Sequence, residues 1–416
     1  MRGRSGAERP VTSGRAVRLR RLVGHAYERV PFYRERFDRA GVTPADIRTL
    51  DDLSRLPVTE KADLIDRPVE AIVARGVDPQ GLVSTLTSGY SGEPFLVRRT
   101  RREQARWARG WLEDLIRAGL RTGDRVATLF SLRRERPEGA GPFAALGVLH
   151  ETAVDCAREP GEILELLEAA RPTFVRGMAG VIARLADEIA RTDRGTIRPR
   201  VVWVSGEVLT PSARQLIEAA FRAPVHNAYG THEVGLVAAD CRSSGLMHLG
   251  QPGLVVEVLG SDGRPSGAGE TGEVVVTALD FLAAPFIRYR LTDVVTRGAD
   301  PCPCGENTPT LAHIEGRTID YFQMPDGRML HPYRILGPAI AVAPPIRQYQ
   351  LVQEARDRIV LKLVCEAPLD DEDRRRLRES VEPLLGPGVG FRIETVSSIP
   401  ANPSGKSRPV LTLVGR

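Results

Sequence analysis

The stretch from residue 124 to residue 230 constrains the fold of this 416-residue chain more than any other. It alternates short apolar runs with longer segments of helical spacing. DRVATLF, TFVRG, VVWVSG and PVHNAYG read as strands, and EILELLEAARP, GVIARLADEIAR and SARQLIEAAF as helices. Parallel neighbours need a crossover, usually a helix, so this rhythm predicts an α/β fold with mostly parallel strands. After residue 250 the rhythm changes. LVVEVLG, GEVVVTAL and FIRYRLTDVV follow one another across glycine turns and predict an antiparallel subdomain. From residue 317 come QYQLVQEARDRIVLKLVCE, a helical DDEDRRRLRESVEPLL, GFRIETVSSI and a polar loop, a small α+β unit. Upstream, residues 16–40 and RREQARWARGWLEDLIRAGL have helical spacing, the latter running to Gly123. With domains of about 100–200 residues, the expectation is two bodies. Residues 1–316 form a large domain of mixed and parallel sheets with flanking helices, including an antiparallel β subdomain over residues 245–316. Residues 317–416 form a small mobile lid.

Composition excludes some classes. With 42% hydrophobic and 27% charged residues the chain can build a large core. No apolar run reaches the roughly 18–20 residues that span a bilayer. The basic N-terminus has no apolar stretch behind it, so the expected compartment is the cytoplasm and no membrane partner is expected. The net charge of +5 does not argue for nucleic acid, because arginines alternate with acids, as in LEDLIRAGLRTGDR. Only three lysines occur, Lys61, Lys362 and Lys406. Where arginine has replaced nearly every lysine, a remaining one is a candidate for work that needs a compact ammonium.

Five segments carry chemistry. Thr87-Ser88-Gly89-Tyr90-Ser91-Gly92-Glu93-Pro94 follows a candidate strand, and small hydroxyl residues between glycines let amides converge on phosphate. Asn227-Ala228-Tyr229-Gly230-Thr231-His232-Glu233 sets an aromatic beside glycine and near a carboxylate. In Arg288-Tyr289-Arg290-Leu291-Thr292-Asp293, the last residue can accept hydrogen bonds from a sugar diol. Gly316-Arg317-Thr318-Ile319-Asp320 lies at the expected domain boundary, and Pro403-Ser404-Gly405-Lys406-Ser407-Arg408 holds one lysine. Each alone is also compatible with an ordinary turn.

Their succession resembles the acyl-adenylate-forming superfamily: a phosphate loop, YGxTE, YRxxD, GRxxD and a late GK. HAYERVPFYRERFDRAGVTPADIRTLDDLSRLPVTEKADL is similar to the opening of phenylacetate–coenzyme A ligases, so the likeness covers nearly the whole chain. The resemblance implies ATP-dependent activation of a carboxylic acid, aromatic by family default, to an acyl-adenylate, then transfer to coenzyme A. It implies that Ser88, Gly89, Ser91 and Gly92 hold the ATP phosphates, that Tyr229 stacks on adenine and that Gly230 and Thr231 beside it also bind the cofactor. Glu233 would bind Mg²⁺ with His232 beside it. Asp293, helped by Arg317, would hold the ribose, Asp320 would be the hinge, and Lys406 would reach the carboxylate and α-phosphate. Phe143, in GAGPF, and His226 would line the acid pocket, with His150 a further candidate. Relatives are often dimers, so a homodimer is implied. Three positions depart from the pattern. Tyr90 stands for Thr, Glu93 for Lys and His232 for Ser or Thr. The open alternatives are a ligase with another acceptor (an amine, a carrier-protein thiol or nitrite) and a non-catalytic nucleotide-binding relative.

Five cysteines make no disulfide framework. Cys241 and His248 close a short loop, and Cys302 and Cys304 sit in PCPCG. Two such pairs suit tetrahedral Zn²⁺, and some relatives carry similar zinc-binding pairs. His313 is an alternative ligand. A closed four-ligand shell predicts a structural metal. Cys156 and Cys365 read as packing residues.

Overall fold

The computed structural model describes residues 10–65, 67–86, 95–130, 150–156, 158–192, 196–250, 252–317, 322–330, 332–343, 346–365, 367–399 and 410–414. The chain opens with helices α1 (Pro10–Arg29), α2 (Pro31–Ala40), α3 (Lys61–Ile65) and α4 (Val69–Ile72). Pro31, with no amide to give, separates the first two and sits in the first turn of α2, where that amide is not needed. Gly41 ends α2 at φ 66°. The helical spacing of residues 16–40 is thus interrupted only at Val30, between Arg29 and Pro31. A hairpin of β1 (Val83–Leu86) and β2 (Leu96–Arg99) leads to α5 (Arg101–Ala118), which stops short of Gly123.

Next come β3 (Arg125–Phe130), β4 (His150–Asp155), α6 (Pro160–Ala170), β5 (Phe174–Met178), α7 (Ala179–Thr192), β6 (Val201–Ser205), α8 (Pro211–Phe221) and β7 (Val225–Thr231). They are followed by β8 (Gly235–Asp240), β9 (Met247–Leu249), β10 (Leu254–Leu259), β11 (Thr271–Ala278), β12 (Tyr289–Arg297) and β13 (Thr310–Arg317). The chain closes with β14 (Phe322–Gln323), β15 (Met329–Leu330), α9 (Tyr333–Val342), β16 (Ile346–Ala355), β17 (Arg358–Cys365), α10 (Asp371–Leu385), β18 (Gly390–Thr395) and β19 (Val410–Thr412).

The chain divides into two compact units, residues 1–115 with 228–314, and residues 116–227 with 315–416. In the first, strands run in the order β10-β11-β12-β13-β9-β8-β7. The β10–β11, β11–β12, β13–β9, β9–β8 and β8–β7 pairs are antiparallel, as the glycine-punctuated sequence predicts. Helices α1 and α2 bury Leu19, Leu22, Phe32 and Phe37 in the same core as Val274, Val276 and Tyr289. Tyr33 ties helix to strand: its hydroxyl donates to the Pro285 carbonyl at 2.9 Å and accepts from the Ile287 amide at 3.0 Å. Burial pushes its phenol up to about 12.

The second unit holds two cores among the described residues. Parallel strands in the order β6-β5-β3-β4 bury Val175, Val202 and Leu129 under α6, α7 and α8, the α/β rhythm expected for residues 124–230. The last stretch builds its own four-stranded sheet, β18-β17-β16-β19, whose core holds Leu361, Leu363, Leu377 and Val381. Helix α10 begins at a reciprocal Asp370–Asp373 capping box. No described helix is long and apolar enough to cross a membrane.

Candidate active site and cysteine–histidine cluster

Two backbone irregularities in the first unit set the site. Between β11 and β12 the register slips, so residues 291–293 of β12 lie opposite the single Val274. Thr292 within this bulge has φ 62°, a left-handed conformation that costs a β-branched residue about 1–3 kcal/mol. Bulges re-aim side chains and gather beside functional sites. This one carries Asp293, 8% exposed. The second slip lies between β7 and β8, at Tyr229 and Gly230. Across the sheet the Tyr229 hydroxyl donates to Asp293 Oδ2 at 2.6 Å. The structure thus joins the residues expected to face adenine and ribose.

Beyond Tyr229 the chain turns sharply. A Cβ on Gly230 would meet the Gly235 carbonyl at 2.4 Å and the Trp111 ring at 2.7 Å, so glycine is required there for close packing. The Thr231 hydroxyl accepts from the Val234 amide at 3.4 Å. His232 is exposed, and its ring lies 12° from parallel with Trp107 at 6.4 Å between centroids. Glu233, half-buried at the turn, offers a hard carboxylate oxygen of the kind Mg²⁺ takes.

Four residues that support this turn or the helix beneath it were not singled out from sequence. Arg99 donates through Nη2 to the His232 carbonyl and, at 2.8 Å, to that of Glu233. Trp107 and Trp111 on α5 pack beneath the turn, 6.0 Å apart. Glu103 fixes the start of that helix. Its Oε2 accepts from the Thr100 amide at 2.7 Å, and its Oε1 from the amides of Leu282 and Ala283 at 2.6 and 3.0 Å. The one available signal was Thr100-Arg-Arg-Glu103, a capping-box pattern at the start of a helix already read as such.

Cys241, His248, Cys302 and Cys304 offer four ligand atoms that all lie within 4.8 Å of one another. The sulfurs of Cys302 and Cys241 are 3.8 Å apart, and Cys304 Sγ is 3.3 Å from His248 Nε2. A tetrahedral centre with bonds of roughly 2.0–2.3 Å separates its ligands by about 3.3–3.8 Å, so the set fits Zn²⁺. Outer partners are in place. His248 Nδ1 meets Thr308 Oγ1 at 2.8 Å, and the amides of Ser243 and Glu306 donate to the Cys241 and Cys304 sulfurs, each at 3.4 Å. Burial would raise the Cys241 thiol, but hydrogen bonds from Ser244, Ser243 and His248 bring it down to about 6. His313, the alternative ligand, is exposed and not part of this set.

The other expected residues divide in two. Ser88, Gly89, Ser91, Gly92, Tyr90, Glu93, Phe143, Asp320 and Lys406 lie outside the described residues, and Arg317 ends β13 without a described side chain. His226 is buried in β7, whereas His150 opens β4 exposed. Cys156 is buried, which raises its thiol to about 11.

The AMP-binding enzyme family matches residues 143–279, and the CapK C-terminal domain family matches residues 323–412. A phenylacetate–coenzyme A ligase of Thermus thermophilus is 28% identical over 95% of this chain and 95% of its own length. These matches fit the acyl-adenylate-forming superfamily. Within that superfamily, a phenylacetate–coenzyme A ligase of Aromatoleum evansii is 29% identical over 74% of this chain and 71% of its own. Among solved structures, 2-hydroxyisobutyryl-CoA ligase in the postadenylation state, in complex with R3-HIB-AMP, superposes with TM-score 0.79. It covers 97% of this chain and 90% of its own at 22% identity, a likeness of fold.

Proposed function

We propose that this chain joins a carboxylic acid to the α-phosphate of ATP, releasing pyrophosphate, and then passes the acyl group to coenzyme A. The observation that carries the reading is the Tyr229–Asp293 pair, set at two bulges with the Glu233 turn three residues beyond Gly230. A carboxylate oxygen attacks the α-phosphorus, and the bond to the bridging oxygen of the β-phosphate breaks. The thiol sulfur then attacks the acyl carbon, its proton passes to solvent, and AMP leaves. Asp293 accepts hydrogen bonds from the ribose diol while the Tyr229 hydroxyl holds its other oxygen. Adenine lies on the Tyr229 ring. Ser88, Gly89, Ser91 and Gly92 cradle phosphates, Thr231 borders them, and Arg317 assists at the ribose. Glu233 is the carboxylate for Mg²⁺, which offsets the charge that builds on the phosphoryl oxygens. The Lys406 ammonium offsets the repulsion between two anions at the attacking centre. Phe143 and His226 line the acid pocket.

The reading divides the chain at residues 1–316 and 317–416 with Asp320 as hinge, makes the acid aromatic, the enzyme a cytoplasmic homodimer, and the Cys241–His248–Cys302–Cys304 set a structural zinc site. The altered positions Tyr90, Glu93 and His232 leave Glu233, Asp293 and Lys406 in place, which favours an active enzyme.

The test is pyrophosphate release across aryl acids and small hydroxy acids, with and without coenzyme A, then with amine and nitrite acceptors. Acid-dependent release that yields a coenzyme A thioester is expected. Acyl-adenylate formed but passed only to another acceptor would correct the second half, and no release with any acid would leave a non-catalytic nucleotide binder.

A further inference from the structure

We infer that Arg99 is a positioning residue that fixes the direction of the Glu233 carboxylate, a role that rests on the adenylating reading above. Arg99 is the last residue of β2 and pairs with Val83 across the β1–β2 hairpin, at the end opposite the connection through residues 87–94. Its side chain is among the largest fully buried ones, 1% exposed. The guanidinium lies between two rings, 5.4 Å from the centroid of Trp107 and 5.3 Å from that of Phe281. Nη1 donates to Gln104 Oε1 at 3.2 Å, and Nη2 takes both carbonyls of the turn. Burial lowers its ionisation to about 10, with Glu233 and Glu103 opposing that shift, so it stays charged at neutral pH.

A buried cation usually grips a carboxylate, but this one grips main chain. Two adjacent carbonyls held by one nitrogen fix the peptide plane between His232 and Glu233, and with it the direction in which the Glu233 side chain leaves. Trp107 closes the other side. It stacks on the His232 ring, and its indole lies 3.1 Å from where a Cβ on Gly235 would stand. Arg99 also ends β2, opposite Val83 of β1, and therefore ties the turn that bears Glu233 to that end of the β1–β2 pair. Lysine cannot replace it, because an ammonium lacks the planar fork and the stacking faces.

The experiment is calorimetric titration with ATP, with and without Mg²⁺, on the wild type, Arg99→Lys and Trp107→Phe. Wild type should bind ATP more tightly with Mg²⁺. Arg99→Lys should lose about tenfold of that gain, the scale on which outer partners tune metal affinity, while its Mg²⁺-free affinity stays within about twofold. Trp107→Phe keeps the bulk and loses indole contact with His232. It should shift the same quantity in the same direction, and it carries the test if Arg99→Lys does not fold. A wild-type Mg²⁺ gain in either folded variant overturns the inference. So does an equal loss with and without Mg²⁺, the mark of a merely structural role. Failure of the wild type to bind ATP overturns the adenylating reading itself and is seen before any variant is compared.

Discussion

Under the proposed reading Tyr229 has two tasks in one side chain: its ring would face adenine, and its hydroxyl holds Asp293 Oδ2 at 2.6 Å. Hydrogen bonds to charged groups contribute about 1.5–3 kcal/mol. Tyr229→Phe should therefore weaken ATP binding about tenfold or more in calorimetric titration, without lowering the melting temperature by more than a few degrees. Gly230→Ala should act on folding instead. Its methyl would fall 2.4 Å from a carbonyl oxygen, and overpacking of that kind costs about 1–3 kcal/mol, read as a lower urea midpoint. The YGxTE resemblance names both residues, but nothing in it separates their roles, because the hydroxyl's partner lies 64 residues away. Asp124 is a third case. Burial favours its neutral form, but Arg200 at 2.8 Å, Thr173 at 2.7 Å and the Arg121 amide outweigh that and hold its carboxyl below the usual range. A depressed native value gives stability that is present above the ordinary carboxylate range, near pH 3.9, and is lost as the pH falls through the native value. Asp124→Asn should thus lower the urea midpoint at pH 7, and its difference from wild type should shrink as the pH approaches 3.

At the scale of elements, two register slips and the cysteine–histidine cluster stand out. A register slip opposite Val274 turns Asp293 out of a regular ladder, and no periodicity in FIRYRLTDVV announces it. The cluster was easier to read, since each pair is local in sequence. What the sequence left open was whether the β8–β9 loop and the segment after β12 would meet. They do, because β13 pairs with β9 at Thr310 and His248 and brings the two loops to the same end of the strands. Chelation should therefore strip about one zinc per chain, measured by elemental analysis, and lower the melting temperature. Cys304→Ser should do the same without chelator. If adenylation with the remaining folded protein keeps its rate constant, the metal is structural.

At the scale of the molecule, the separate core of residues 322–410 suits a body that can move as a unit. Lys406→Ala should leave Mg²⁺-dependent ATP binding intact while acid-dependent pyrophosphate release falls about 10²–10³-fold, the usual loss for one electrostatic contact in a transition state. A folded variant with unchanged release would dismiss this lysine. Sequence by itself determined the order of elements, the parallel and antiparallel regions, the five motifs and the four candidate zinc ligands, because each depends on residues close together along the chain. Only the tertiary structure decided that Tyr229 holds Asp293, that two strands slip register beside them, and that Arg99 and Trp107 clamp the turn of Glu233. Those contacts join segments far apart in sequence. A local pattern carries no information about which distant backbone groups a buried guanidinium or hydroxyl will reach.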